Sequence, residues 1–197
     1  MKNMLKSIAL AAVCFAVAFA QDVKPVIDND RVTVWDVTWT KGQTNPARGH
    51  DLDTVVMSLV PGHAAKFHPH GVGLDEGGKA RRSLVIELKD HPVPPIENKS
   101  GYPLAFPRPH VKKLLENDRV IVWAYRWNPG EPTPMHFHDK DVVVVYLEPT
   151  ALTSTTPDGA KTLNDYKAFD IRFNKRDRTH TELLERGTGS AMMMELK

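Results

Sequence analysis

Two histidines one residue apart, His136 and His138, stand in GEPTPMHFHDKDVVVVYLE, residues 130–148. In a β-strand, residues i and i+2 point to the same face, so both imidazoles can converge on one ion. Neutral imidazole suits Zn, Cu, Fe and Ni, while added oxygen ligands favour Mn. A third ligand has to come from elsewhere. His180 in RTHTELLERGTG is the best placed, on a strand-like stretch some forty residues later, roughly the return distance of an antiparallel β fold. The competing reading makes His136 and His138 exposed strand residues, because short motifs of this kind recur by chance. Asp139 and Asp141 also have two readings, as an oxygen ligand or as turn residues.

The elements that must position these groups are written twice. DNDRVTVWDVTWTKGQTNPARGHDLDTVVMSLVP (28–61) aligns with ENDRVIVWAYRWNPGEPTPMHFHDKDVVVVYLEP (116–149) at a constant offset of 88, with sixteen of 34 positions identical. Chance does not produce this, so the chain is an internal duplication. Each copy opens with an alternating β-branched and aromatic segment, Arg31 to Trp39 or Arg119 to Trp127, the pattern of a strand with one buried face. A Gly/Pro-rich turn and a second strand follow, at Thr54 to Val60 or Val142 to Leu147. The copies then diverge: Pro61 to Lys66 spans five residues where Pro149 to Arg178 spans 29. The first copy thus lacks about 24 residues, enough for a hairpin. RSLVIELK (82–89) and SAMMMELK (190–197) close the copies alike, with the methionines read as packing residues. The tryptophans recur at equivalent positions and read as core.

The segment between the copies, residues 90–110, holds six prolines. Proline lacks a ladder donor, so this reads as a linker or an extended segment across the surface. No long amphipathic helix is evident. The expectation is an all-β protein of sandwich or barrel type.

The N-terminus, MKNMLKSIALAAVCFAVAFAQD, has a basic start, an apolar core too short to span a bilayer, and Ala18-Phe19-Ala20 as a small-x-small cleavage site. Residues 1–20 read as a secretory signal peptide, which places the mature protein in the periplasm or outside the cell. The only cysteine, Cys14, leaves with it, and so do Lys2 and Lys6. The mature chain then carries 24 basic against 24 acidic residues. That balance gives no electrostatic reason to expect nucleic acid or a membrane surface as partner.

GEPTPMHFH, a glycine, five residues and then His-x-His, resembles the first motif of the cupin family. The surrounding strand-turn-strand and the later His180 resemble its two-motif pattern. Residues 116–197 carry the resemblance and residues 28–89 a degenerate copy of it. The resemblance implies two tandem cupin-like (jelly-roll) β-barrel repeats, the first truncated. Residues 21–89 would be the degenerate repeat, 90–110 the linker and 111–197 the C-terminal barrel. It further implies a divalent transition metal (Fe, Mn, Zn or Ni) inside that barrel, a small-molecule substrate or ligand, and dioxygenase, decarboxylase or isomerase chemistry. The alternative is a non-catalytic exported ligand-binding protein. The family's glutamate would fall at Val142 or Val143, so His136, His138 and His180 are the expected metal ligands, with Asp141 or water in the fourth place. A homodimer is expected, because a truncated repeat leaves sheet edges to cover.

In the first copy Arg48 replaces His136, and arginine cannot ligate a cation. His50 keeps its place, and His68 or His70 could stand where His180 stands. No complete metal site is expected there. Arg48 and His50 suggest an anion pocket, against the plainer reading of a salt bridge from Arg48 to Asp51 or Asp53.

Overall fold

The computed structural model describes residues 24–39, 52–60, 62–72, 74, 81–91 and 93–197. The expected signal peptide, Arg48, His50 and Asp51 lie outside the described residues. Every described regular element is a strand, which bears out the all-β expectation.

In the first copy β1 (Ile27–Asp28), β2 (Val32–Trp39), β3 (Thr54–Ser58), β4 (Ala65–His68) and β5 (Arg81–Leu88) form one antiparallel sheet, ordered β1-β2-β5-β3-β4. The second copy holds β6 (Val111–Glu116), β7 (Val120–Arg126), β8 (His136–His138), β9 (Val142–Tyr146) and β10 (Thr150–Thr155). It continues with β11 (Lys161–Tyr166), β12 (Ile171–Asn174), β13 (Arg178–Gly187) and β14 (Ser190–Leu196). These make two sheets, β6-β7-β14-β9-β12 and β11-β10-β13-β8. The first of them repeats the strand order of the N-terminal sheet, and the register repeats as well. Trp35 pairs with Val85 as Trp123 pairs with Met193, and Val55 with Ile86 as Val143 with Met194.

The length difference between the copies falls mainly at one place. Fourteen residues separate Thr54 from its partner His68, whereas 32 separate Val142 from Asn174. The local deficit is therefore 18 residues, not 24, and the β10–β11 hairpin lies within it. Because β4 is the counterpart of β12, His68 occupies the place of Asn174 and not that of His180. Among the described residues β8, β10, β11 and β13 have no counterpart in the first copy.

The sheet containing β9 is covered on both faces, which explains its unbroken valine run. Val143, Val145, Met192 and Met194 face the first copy and meet Val32, Val34, Val55, Met57, Leu84 and Ile86 in one core. Val142, Val144 and Met193 point the other way, into the barrel, where Trp123, Tyr125, Trp127, Leu152 and Leu184 fill a second core.

Two ion pairs link the copies reciprocally. Arg31 Nη1 lies 2.8 Å from Asp141 Oδ2, and Arg119 Nη1 lies 2.8 Å from Asp53 Oδ2. Each residue is the 88-offset equivalent of its counterpart in the other pair. The backbone repeats the exchange within each copy, Lys89 N–H donating to Arg31 O (3.0 Å) and Lys197 N–H to Arg119 O (2.8 Å). The same patch on each copy thus meets its equivalent, the arrangement of an isologous dimer joined into one chain.

Candidate metal centre

The three histidines are placed by β8 and β13. These strands pair antiparallel with His180 directly opposite His136 and Arg178 opposite His138. Side chains alternate in a strand, so His136, His138 and His180 all face the barrel interior. The connection into β8 starts at Gly130, whose φ of 73° is a left-handed conformation that glycine adopts without strain. Thr133 fastens that connection to β13. Its N–H donates to Glu182 O (2.9 Å) and its Oγ1 accepts from Glu182 N–H (2.9 Å), while the Thr181 hydroxyl donates to Thr133 O.

All three rings are buried, and a nitrogen from each lies within 4.8 Å of the others. His138 Nε2 and His180 Nε2 are 3.2 Å apart. Two nitrogens bound tetrahedrally to one ion at about 2.1 Å stand roughly 3.4 Å apart, so this spacing fits a shared ion. His136 Nδ1–H donates to Pro134 O at 2.7 Å, which leaves Nε2 as the lone-pair atom, and His180 Nδ1 lies 3.1 Å from Ser154 Oγ. Such contacts hold a ligating ring in one orientation. His138 Nδ1 is buried and has no hydrogen-bond partner.

Burial, reinforced by the charge of Arg108, pushes His136 down to about 3. Burial with Arg178 and Arg108 does the same to His180. Burial, with Arg178 next, holds His138 well below its usual value. All three are therefore neutral near pH 7, the protonation state that metal ligation requires.

Asp141 is not brought to this group. Its carboxylate accepts Arg31 Nη1–H at 2.8 Å and Arg176 N–H at 2.9 Å, so it joins the two copies instead. Asp139 pairs with Lys140 at 2.6 Å. Asp53, weighed above as a partner for Arg48, pairs with Arg119 and also accepts His70 N–H at 2.9 Å.

Three charged groups at the site escaped the sequence reading. Arg178 and Glu182 flank His180 at two-residue spacing, so strand periodicity alone was enough to put them on its face. Arg108 had no such signal, because it comes from the proline-rich segment. That segment runs beside β8, with Phe137 N–H donating to Pro103 O and Ala105 N–H to Phe137 O, both at 2.8 Å. Phe106 stacks on Trp123 with ring centroids 5.4 Å apart. Arg108 then enters the barrel, its Nη1 2.8 Å from His136 Nε2 and its guanidinium carbon 4.2 Å from the Tyr125 ring centroid. Residues 93–110 therefore build part of the barrel wall as well as connecting the copies.

A small cavity of about 20 Å³ opens beside His138 and His180. Arg108, Asn174, Arg178 and Glu182 supply its polar side, and Val142, Val144, Tyr146 and Met193 its apolar floor. The site thus combines a compact nitrogen donor set with a small opening lined by charged and apolar side chains.

No protein-family model matches the chain. No curated protein matches it either. Among solved structures, protein Ylba from E. coli aligns over 85% of this chain and 77% of its own, at 10% identity and a TM-score of 0.54. A Cupin 2 conserved barrel domain protein from Leptotrichia buccalis aligns over 88% and 87%, at 12% identity and a TM-score of 0.41. A cupin domain from Bordetella pertussis Tohama I covers 46% of this chain and 97% of its own, at 26% identity and a TM-score of 0.42. By its architecture, a two-sheet antiparallel barrel preceded by a partial second copy, this chain has a cupin-like fold.

Proposed function

We propose that the protein is an exported cupin that binds one divalent transition metal through His136, His138 and His180 and offers it to a small-molecule ligand. The observation that carries this reading is the convergence of three buried, neutral imidazoles from two paired strands. Fe, Mn, Zn and Ni all suit such a donor set. When bound, the ion would supply a Lewis acid or a redox centre to an oxygen-bearing molecule. Dioxygenation, decarboxylation and isomerisation are the reaction classes in view. With Asp141 engaged by Arg31, the fourth place falls to water or to the ligand. Residues 1–20 carry the export part of the proposal. Homodimerisation belongs to it too, because β11 is an edge strand with Leu163 58% exposed.

Elemental analysis of chelator-free protein tests the metal. About one ion per chain, lost in a His136→Ala/His138→Ala double variant, is expected; full retention would refute the ligand assignment. Mass spectrometry should find a mature chain beginning at Gln21, and light scattering should give twice the chain mass.

A second reading, a non-catalytic exported binding protein, draws support from Arg108. Its guanidinium already donates to the one lone pair of His136, which is the atom a metal needs. Protein that takes up no ion on reconstitution yet binds a small molecule would select this reading.

A further inference from the structure

Elsewhere among the described residues the buried arginine has its own counter-ion. Arg31, 7% exposed, is matched one to one by Asp141. The barrel cavity differs, because two guanidiniums, Arg108 and Arg178, line it with one carboxylate, Glu182. Glu182 Oε2 lies 3.7 Å from Arg108 Nη2 and also accepts the Trp127 indole N–H at 3.1 Å. The Arg108 side chain is 5% exposed, yet its Nε has no hydrogen-bond partner. Arg178, part-buried, donates from Nε to Lys175 O at 2.7 Å and lines the same cavity. Buried charge and unfilled donors are costly unless an acceptor meets them.

We infer that the cavity takes a small carboxylate, seated between the guanidiniums of Arg108 and Arg178 beside the three histidines. The planar fork of each guanidinium matches a carboxylate edge with two parallel hydrogen bonds. The cavity of about 20 Å³ admits little more than a carboxylate group, which limits the ligand to a small acid. Val142, Val144 and Met193 give its carbon skeleton an apolar bed. A bound divalent cation would add to the positive excess and strengthen the demand for an anion. The inference names the ligand class for the site proposed above, and it rests on reading that barrel as a small-molecule site. It does not need the metal, since both arginines come from the chain.

Isothermal titration of the full mature chain with acetate, oxalate, malonate, succinate and inorganic phosphate tests it, on metal-free and on zinc-loaded protein. At least one carboxylate should bind metal-free protein at millimolar concentration or tighter. Arg108→Gln and Arg178→Gln should each weaken it roughly tenfold or more, the scale of a lost charged hydrogen bond. Arg108→Lys should recover part of the loss, as charge returns without the fork. Melting curves and zinc stoichiometry of each variant separate a ligand effect from unfolding. Zinc binding with no carboxylate binding to either form would overturn the inference and leave the metal proposal standing. Carboxylate binding without any metal uptake would do the reverse. Phosphate binding with no carboxylate binding would also overturn it.

Discussion

The two copies of the duplicated segment share a sheet and differ in what they build on it. Identical residues cluster where the copies touch: Arg31 and Arg119, Asp53 and Asp141, Val32 and Val120, Val55 and Val143. Asn29 and Asn117 make the same turn, each side-chain oxygen accepting two backbone N–H groups at 2.8–2.9 Å. Of the positions that carry chemistry, only His138 has a match, His50. His136 faces the barrel where the first copy has Arg48, and β13, which carries Arg178, His180 and Glu182, has no described counterpart. The duplication thus preserves an interface, while the candidate site belongs to one copy alone. One copy covers the outer face of the other's sheet, so the second copy can form a barrel around the histidines without leaving that apolar face in water.

The comparison is broken most severely by placing a charge at the shared core. Val143→Asp would bury an unpaired carboxylate between the copies. The expected cost exceeds about 4 kcal/mol and should appear as loss of the cooperative melting transition.

The two equivalent ion pairs should respond unequally. Asp141→Ala strands Arg31 in a buried site, at a cost of about 3–5 kcal/mol. Asp53→Ala should cost about 1 kcal/mol or less, because the Arg119 side chain is 33% exposed and has Asp90 at 3.3 Å as a second partner. Urea denaturation of the two variants measures the difference, and equal losses would contradict the assigned environments.

Acid should destabilise the metal-free protein through the second copy's histidines. They are held neutral in the fold, with His136 and His180 near 3, against an unfolded value of 6.5. Between these values the unfolded chain binds protons that the native protein refuses, so stability falls as pH drops from about 6.5 towards 3. A His136→Gln/His138→Gln/His180→Gln variant should show a flatter melting temperature across that window. The smallest effect belongs to the first copy: His50→Ala should leave metal stoichiometry unchanged.

How much of this was legible in the sequence varies by residue. The alternation around Trp123 and the shared face of His136 and His138 follow from a two-residue period, which is local. His180 was legible once strand pairing was assumed, and Arg178 and Glu182 were within reach by the same period. Asp141 was misplaced as a candidate ligand because its partner, Arg31, is 110 positions away. Arg108 was hidden in a segment whose prolines announce only what it cannot form.

By itself the sequence determined an all-β duplicated chain, the strand faces and the donor pair on β8, because side-chain alternation and repetition are properties of neighbouring residues. Tertiary structure alone decided that the two copies pack face to face, that Asp141 binds Arg31, and that Arg108 enters the barrel beside His136. Those outcomes depend on which distant surfaces exclude water together and which buried charges must find partners, and neither leaves a periodic mark along the chain.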